Sequence, residues 1–423
     1  MNILAISFAY PPTALPRSIQ AARLLAGLDA NVTLVCANWT DAPLDTTIYP
    51  DADKQIQMVE RVKFGSSGLQ RLVSRILYRA SRSAWNRLYR NPDQYRSWVK
   101  PVLDRVSELP QNETETERFD CLVSFGQPFS CHLIGRELKK RMRLPWIAYF
   151  SDPWVDNQFN GYDLHSRSLN LKLERSVVES ADLVLMNSEE TIDLVFARYD
   201  ERSKAKARVL PHAYDEGLYG DRSSADGDTI VIRHIGEFYG PRSPVPLLRA
   251  IIGTDSVDDH RFDGVSFELV GDYETGPELE ELASHPATRN VIFKKRIPYL
   301  ESLNLMNRSD GLLLIDAPGE SSVFLPSKLI DYIGSERPIF GITPPGTADR
   351  LIRQLGGATA NPNDTAAIRT RLACFIDMIK DRKNLRSSEP WGEQSIRETF
   401  DRKAVQKQFL GFVNECVMNE MRE

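Results

Sequence analysis

The sequence predicts a two-domain α/β protein with doubly wound parallel sheets. Continuous apolar runs alternate with helical patterns along most of the chain, as expected for parallel sheets covered on both faces. The chain has 423 residues, and at about 150 residues per domain this length suits two or three domains. A polar, loop-forming stretch at 211–228 separates two halves that both show the alternation.

Composition narrows the class of protein. Hydrophobic residues make up 42% of the chain and charged residues 26%, as in an ordinary soluble globular protein. No apolar run reaches the ~18 residues that a membrane-spanning helix requires. The formal net charge of −5 does not favour nucleic-acid binding. The five cysteines form no CxxC pair, which predicts buried free thiols in the reducing cytoplasm.

Strands and helices alternate from the N-terminus onward. Residues 2–8 are predicted to be a strand rather than a signal peptide, because they lack a basic leader and run directly into prolines. At 17–28 apolar residues recur at helical spacing and predict a helix. The other predictions for the first half are strands at 31–37, 119–125, 145–151 and 182–187, and helices at about 68–108, 128–142, 166–180 and 188–199.

The second half opens with the apolar run TIVIRHIG at 229–236. Further strands are predicted at 265–270, 290–293, 311–315 and 338–342, with helices between them. We therefore expect a first domain at 1–214, a second at 215–390, and a helical tail at 391–423 that packs back on the first domain. Two such sheets facing each other form a cleft, where ligands bind at the carboxyl ends of the strands.

The loops after the first strand of each half suit different ligands. The loop at 8–17 contains no glycine, which argues against NAD or FAD. It leads into a helix N-terminus, where an anion or a sugar hydroxyl can bind. The turn at 234–244 has Gly236 for close approach of a ligand and Arg242 to grip a diphosphate. An ordinary turn with a surface arginine is the alternative.

A third candidate segment is PSKLIDYIG at 326–334. Proline and serine favour a helix start, whose N–H groups attract phosphate. Lys328 lies in the first turn, where the helix dipole disfavours a cation, and a bound anion would offset that conflict. A solvated lysine is the alternative. Asp331, about one turn after Ser327, could accept hydrogen bonds from ribose hydroxyls.

Seven segments occur in the order typical of one known family and span almost the whole chain. They are ISFAYPP (6–12), ERSVVESADLVLMNSEET (174–191), LPHAYDEGLY (210–219), IGEFYGPRSPVPLLRAI (235–251), LVGDY (269–273), RIPYLESLNLMNRSDGLLLI (296–315) and PSKLIDYIGSERPIFGI (326–342). Together they resemble the family 4 glycosyltransferases. The resemblance implies the GT-B fold, in which two Rossmann-like domains face each other across a cleft.

The resemblance also implies a donor site in the second domain. Arg242 and Lys328 resemble the basic residues that hold the donor diphosphate, and Asp331 resembles the acid that contacts the ribose. The other donor-side residues are Gly236, Gly271, Ser327 and, in the base-docking loop at 296–299, Ile297.

The chain departs from the family pattern in three segments. Val323 stands where the family has the first Glu of its Glu-x7-Glu motif, with Glu320 nearby at a different spacing. Ala14 and Leu15 replace a Gly-Gly pair in the first loop. Glu237 replaces a basic residue after Gly236, which leaves Arg242 and Lys328 to balance the diphosphate.

Four residues are candidates on the acceptor side of the first domain. Asp152 ends a predicted strand and would act as a general base in an inverting enzyme. In a retaining enzyme, which the resemblance implies, it would orient a hydroxyl or stabilise the oxocarbenium ion; a helix N-cap is the alternative. His132 either faces the cleft in a catalytic role or is structural. Tyr10 and Arg17 complete the acceptor side.

Two further patterns concern metals and membranes. The D-x-D at 51–53 is a metal signature in other glycosyltransferases, but GT-B enzymes generally need no bound metal, so we expect neither metal nor cofactor. Between 61 and 100 the chain has ten basic residues and one acid. The predicted helix at 68–108 interleaves Arg71, Arg75, Arg79, Arg82 and Arg90 with Tyr78, Trp85, Tyr89, Tyr95 and Trp98. Such a helix suits an anionic membrane surface; a solvated amphipathic helix is the alternative, and nucleic acid is a weaker one.

The sequence therefore predicts a retaining glycosyltransferase that uses a nucleotide-diphosphate sugar. Its acceptor would be a saccharide or a polyprenyl-linked molecule in bacterial surface polysaccharide synthesis. The enzyme would be cytoplasmic or peripheral at the inner face of the cell membrane. The rivals are a nucleotide-sugar epimerase of the same fold and a non-catalytic GT-B protein that binds a partner or a membrane.

Overall fold

The structure is a computed structural model that describes residues 1–65, 91–109, 118–220, 229–253, 261–385 and 389–420. The chain divides into two compact units, Met1–Pro211 with Val405–Glu423, and His212–Ala404. Each unit is built on one parallel sheet. In the part of the chain that the structure describes, no helix combines the length and the apolar character needed to cross a membrane.

The first unit has a seven-stranded sheet and the second a six-stranded sheet. Their strand orders are β3-β2-β1-β4-β5-β6-β7 and β10-β9-β8-β11-β12-β13. The strands are β1 (Asn2–Ser7), β2 (Asn31–Trp39), β3 (Met58–Phe64), β4 (Cys121–Phe125), β5 (Trp146–Tyr149), β6 (Leu183–Met186), β7 (Ala207–Val209), β8 (Ile230–Ile235), β9 (Val265–Val270), β10 (Val291–Lys294), β11 (Gly311–Ile315), β12 (Ile339–Ile342) and β13 (Ala358–Ala360). The central strands are almost wholly buried, as their predominantly apolar sequences predict.

Helices make the crossovers that parallel strands require. They are α1 (Pro16–Leu25), α2 (Val99–Ser107), α3 (Ser130–Met142), α4 (Leu164–Ser180), α5 (Glu189–Phe196), α6 (Glu201–Lys204), α7 (Val245–Ile252), α8 (Pro277–Ala283), α9 (Tyr299–Asn307), α10 (Ser327–Ser335), α11 (Thr347–Gln354), α12 (Thr365–Asn384), α13 (Gln394–Glu398) and α14 (Arg402–Glu420). The two sheets with their helices form two Rossmann-like units, the architecture that the sequence predicts.

The C-terminal helix α14 belongs to the first unit from Val405 onward. Phe409 and Val413 on this helix are fully buried. The Gln406 side-chain amide donates to the carbonyl oxygens of Arg23, Leu24 and Ala26, at 3.1, 3.2 and 3.0 Å. These bonds satisfy carbonyls at the C-terminus of α1 that have no partner within that helix.

Three strands and one thiol differ from the sequence prediction. β3, β7 and β13 were not predicted, because they lie toward the edges of the sheets and are short or rich in polar residues. All five cysteines are free, but Cys374 is exposed, so the prediction of burial is wrong for this residue.

The basic segment at 68–108 is described only from residue 91 onward; the prediction for 68–90 lies outside the described residues. Trp98 is fully buried, and its indole N–H donates to the Val62 carbonyl at 3.2 Å. Tyr95 packs on Phe8 with 4.3 Å between ring centroids. Trp98 therefore belongs to the core of the first unit, and its assignment to a membrane-facing surface is wrong. Tyr95 packs half-buried against this core.

Candidate functional site

Both sheets have a switch point, where crossovers on either side of a central strand run in opposite directions. It lies between β1 and β4 in the first unit and between β8 and β11 in the second. Ligands of open α/β sheets bind beyond the carboxyl ends of such strands. The predicted residues follow the strands of these two edges: Arg17, His132 and Asp152 follow β1, β4 and β5, and Gly236, Gly271 and Lys328 follow β8, β9 and β11.

Gly236 and Lys328 are in direct contact in the second unit. A Cβ atom at Gly236 would lie 2.8 Å from both Nζ and Cε of Lys328. Gly236 also has a φ of +141°, which other residues rarely adopt. Only glycine therefore lets the lysine ammonium lie over this turn, beside the first turn of α10.

The ammonium group of Lys328 also contacts His234, a residue that the sequence analysis did not single out. Nζ of Lys328 lies 3.2 Å from Nε2 of His234, whose Nδ1 is 3.0 Å from the Leu313 carbonyl oxygen. A carbonyl only accepts, so Nδ1 carries the ring proton and Nε2 accepts from the lysine. The sequence did contain a signal for His234, because a histidine inside the largely apolar run of β8 is unusual.

Burial determines the charge state of both groups. Desolvation, with a smaller contribution from Arg242, lowers the pKa of Lys328 to about 7. Desolvation and the Lys328 charge hold the pKa of His234 well below its usual range. Near neutral pH the lysine is therefore only partly charged, and a bound anion would stabilise its protonated form.

This lowered pKa predicts how the affinity for an anionic ligand at Lys328 depends on pH. Below pH 7 Lys328 is already protonated, whereas above pH 7 anion binding must be coupled to uptake of a proton. The dissociation constant should therefore rise with pH above 7, by up to about tenfold per pH unit. Isothermal titration of a nucleotide-diphosphate sugar, the donor that the sequence predicts, between pH 6 and 9 measures this effect, since such a diphosphate diester has no terminal phosphate that titrates.

The control for this prediction is Lys328→Arg, whose guanidinium stays charged across the range. Its affinity should be nearly independent of pH. A wild-type affinity that does not change between pH 6 and 9 would contradict the role of the Lys328 charge.

Arg242 is held by a buried carboxylate. Its Nε donates to Oδ1 of Asp316 at 2.9 Å, and the two side chains are 8% and 2% exposed. Asp316 also accepts from the Ala317 N–H at 2.8 Å and the Ser322 hydroxyl at 3.2 Å. The guanidinium is thus fixed in place but largely neutralised, which leaves Lys328 as the less compensated cation. Asp316 was missed, although an acid directly after the apolar run of β11 was a visible signal.

The loop at 296–299 lies beside the Gly236 turn. Arg296 pairs with Glu237 at 2.7 Å, and Ile297 packs partly buried against the core of the second unit. The next residue but one, Tyr299, donates its hydroxyl to Oδ1 of Asp331 at 3.0 Å. A carboxylate accepts several hydrogen bonds, so this contact is compatible with a second one to a ribose.

The remaining donor-side predictions have distinct local roles. A Cβ at Gly271 would lie 2.5 Å from the carbonyl oxygen of Gly236, so Gly271 allows the ends of β8 and β9 to pack together. Ser327 opens α10, which has no acidic residue in its first turn. Val323 accepts through its carbonyl from the Thr347 hydroxyl at 3.0 Å, and Glu320 is exposed.

In the first unit His132 is fully buried and part of a hydrogen-bonded chain. The indole N–H of Trp146 donates to Ser124 Oγ at 2.9 Å, and this oxygen lies 2.8 Å from Nδ1 of His132. Nδ1 is the one acceptor that the described residues offer to the serine hydroxyl, so we assign the serine proton to this bond and the ring proton to Nε2. Desolvation, with the charge of Arg17, lowers the pKa of His132 to about 3. This network suits a neutral N–H donor rather than a proton acceptor.

Arg17 and Asp152 lie within electrostatic range of each other. Arg17 is 7% exposed, and its guanidinium carbon lies 5.7 Å from the ring centroid of Tyr149. Burial lowers the pKa of Arg17, and the charge of Asp152 acts in the opposite direction. Tyr10 is 1% exposed and interacts electrostatically with Arg61. Asp152 and His132 thus each lie within electrostatic range of Arg17, and Tyr10 is buried in the same unit.

The two carboxylates of the D-x-D at 51–53 are in ion pairs. Asp51 pairs with Lys54 at 2.6 Å, and Asp53 pairs with Arg61 at 2.9 Å. Among the residues that the structure describes, no three or more His, Cys, Asp or Glu side chains are grouped to hold a metal ion.

Several solved structures are similar to this chain over nearly its whole length. HepE of Anabaena in complex with UDP-glucose has a TM-score of 0.64 at 14% identity, and the alignment covers 98% of this chain and 100% of HepE. The apo form of WaaB, a lipopolysaccharide outer core galactosyltransferase, has a TM-score of 0.60 at 13% identity, covering 98% and 99%. A trehalose-6-phosphate protein from E. coli bound with UDP-2-fluoro glucose has a TM-score of 0.65 at 13% identity, also covering 98% and 99%.

No protein-family model and no curated protein sequence matches the chain. At sequence identities of 13% and 14%, the structural similarity shows a shared fold and nothing more. Two parallel sheets of seven and six strands, aligned over nearly the whole length with these enzymes, show that the chain has the GT-B fold.

Proposed function

We propose that the protein is a glycosyltransferase that uses a nucleotide-diphosphate sugar as donor. The observation that carries this proposal is the Lys328 ammonium, held against Gly236 beside the first turn of α10 at the switch point of the second sheet. Structures of the same fold solved with UDP, UDP-glucose and UDP-2-fluoro glucose support it.

In this proposal the second unit binds the donor. Lys328, Arg242 and the N-terminus of α10 hold the diphosphate and stabilise the charge that develops on it as the glycosidic bond breaks. Asp331 accepts hydrogen bonds from the ribose, and the loop at 296–299 contacts the base. The positive charge that stabilises the departing nucleoside diphosphate thus comes from two side chains and a helix N-terminus of this protein.

The first unit provides the acceptor side. In a retaining reaction Asp152 orients the acceptor hydroxyl, and His132 donates from Nε2 to a ligand oxygen. We further propose a saccharide or polyprenyl-linked acceptor of bacterial surface polysaccharide synthesis. The basic segment at 68–108 would then bring the cytoplasmic enzyme to the inner face of the membrane.

A thermal-shift panel tests the donor site. UDP, GDP, ADP, CMP and their common sugars are compared on the wild type and on Lys328→Ala. One nucleotide should raise the melting temperature of the wild type by mass action, and raise that of the variant much less. The nucleotide that produces the shift identifies the base.

Turnover of the identified donor distinguishes the rival functions. Release of the nucleotide, increased by an acceptor, supports a transferase. An isomerised sugar formed without acceptor would indicate an epimerase, and binding without any turnover would indicate a non-catalytic protein. No shift with any nucleotide would contradict the assigned donor site.

A further inference from the structure

Arg17 is a buried cation for which the structure provides no hydrogen-bond acceptor. It lies in the first turn of α1, with 7% of its surface exposed. None of the described residues accepts a hydrogen bond from its three guanidinium nitrogens, all of which are withdrawn from solvent. Arginine has five N–H donors and a charge that does not titrate in the physiological range, so this arrangement is costly.

The position of Arg17 in its helix adds to this cost. The N-terminus of α1 already carries the partial positive charge of the helix dipole. The helix has no acidic residue in its first turn and no side-chain cap at Leu15. Two positive features therefore coincide at one helix end, and a bound anion would relieve both.

His132 supplies a second unsatisfied donor in the same region. Its Nε2 is buried, and none of the described residues pairs with it. Nδ1 is occupied by Ser124, so Nε2 carries the proton. Arg17 acts electrostatically on His132. Because the guanidinium and this ring nitrogen are all donors, the group missing from the region is a hydrogen-bond acceptor.

Asp152 is the internal group that could compete for Arg17. Its charge acts on the guanidinium, but Arg17 donates no hydrogen bond to it. Asp152 is also only half-buried, so water solvates part of its charge. Arg23, in the last turn of the same helix, shows the usual solution: it is 3% exposed and donates from Nε to the Tyr49 hydroxyl at 3.2 Å.

We infer that Arg17, the N-terminus of α1 and His132 form a subsite for an anionic oxygen group, phosphate or carboxylate, on the acceptor. Assigning this group to the acceptor rests on the proposed function; the anion site itself rests on the geometry of the first unit. The planar guanidinium matches both groups bidentately, and His132 donates to a further oxygen.

Thermal shift and calorimetry with four ligands test the subsite: inorganic phosphate, glucose 6-phosphate, glucuronate and glucose. Wild type is compared with Arg17→Met and with the matched control Arg23→Met. At least one of the three anions should stabilise the wild type and Arg23→Met, whereas glucose should have a much smaller effect. In Arg17→Met the affinity for that anion should fall by roughly tenfold or more.

Ligand-free stability distinguishes this subsite from a structural role. If Arg17 serves to bind a ligand, the melting temperature of ligand-free Arg17→Met should be no lower than that of the wild type. The melting temperature of Arg23→Met should be lower, because its hydrogen bond to Tyr49 is lost. An Arg17→Met variant that is as destabilised as Arg23→Met would show a structural role and overturn the inference.

Three further outcomes would separate this inference from the proposed function. UDP is titrated in parallel as a measure of the donor site in the second unit. If UDP binds but no anion stabilises the wild type, the subsite is refuted while the proposed function stands. If saturating UDP abolishes the anion response, the anion recognised is the donor's phosphate, and the assignment to the acceptor is refuted. If anions bind through Arg17 while no nucleotide does, the proposed function fails and the anion site remains.

Discussion

On the proposed function, replacing Lys328 with methionine should lower kcat/KM for the nucleotide sugar by roughly 10²- to 10³-fold, as does loss of one preorganised donor to a developing negative charge. The ammonium lies over the Gly236 turn and against His234, and the larger positive group nearby, Arg242, is already paired with Asp316. Steady-state kinetics of nucleotide release measure the loss.

Two comparisons make this result specific. Lys380→Met removes an exposed lysine from α12 of the same unit and should leave turnover unchanged. In the absence of ligand, Lys328→Met should unfold at a temperature close to that of the wild type, because removal of the desolvated charge offsets the loss of the hydrogen bond to Nε2 of His234. Loss of turnover accompanied by a large fall in melting temperature would mean that Lys328 is structural.

Replacing Asp316 with alanine should destabilise the second unit by about 3–5 kcal/mol, the cost of leaving a buried partner charge uncompensated. Arg242 and Asp316 are almost fully buried, and the carboxylate also accepts from Ala317 and Ser322. Hydrogen exchange of β8 and β11 in increasing denaturant reports the stability of this unit separately from that of the first.

The matched control is the ion pair between Arg296 and Glu237, which is 50% and 45% exposed. Glu237→Ala should change the free energy of unfolding by no more than about 1 kcal/mol, because water screens an exposed pair. Equal losses in Asp316→Ala and Glu237→Ala would contradict the role assigned to burial.

The sequence predicted the strands that lie in the middle of each sheet. β9 and β11 were predicted with their observed bounds, because a strand buried on both faces has a predominantly apolar sequence. β3 lies at the edge and mixes charged with apolar residues without regular alternation; its Glu60 pairs with Arg105 of α2. Its stability depends on partners that a local pattern does not contain, so no strand was predicted there.

The site residues also divide into those that a local sequence pattern predicts and those whose roles depend on contacts distant in sequence. Gly236 and Lys328 were selected because a glycine turn and a cation in a first helical turn are local signals, and the structure brings them together. The roles of His234 and Asp316 come from contacts with Lys328 and Arg242, at sequence separations of 94 and 74 residues. Likewise, Trp98 lies in an amphipathic stretch of the sequence, and only the structure shows that its side chain is fully buried in the first unit.

The two units also differ in when their parts are synthesised. The second unit is one continuous stretch, His212–Ala404, whereas the first is completed by α14 from Val405 onward. On the ribosome, the second unit is therefore fully translated before the first has its last helix. Until then, the surface of the first unit that receives Phe409, Val413 and Cys416 stays uncovered. A fragment ending at Pro211 would expose that apolar surface permanently and should aggregate, whereas His212–Ala404 contains its whole sheet.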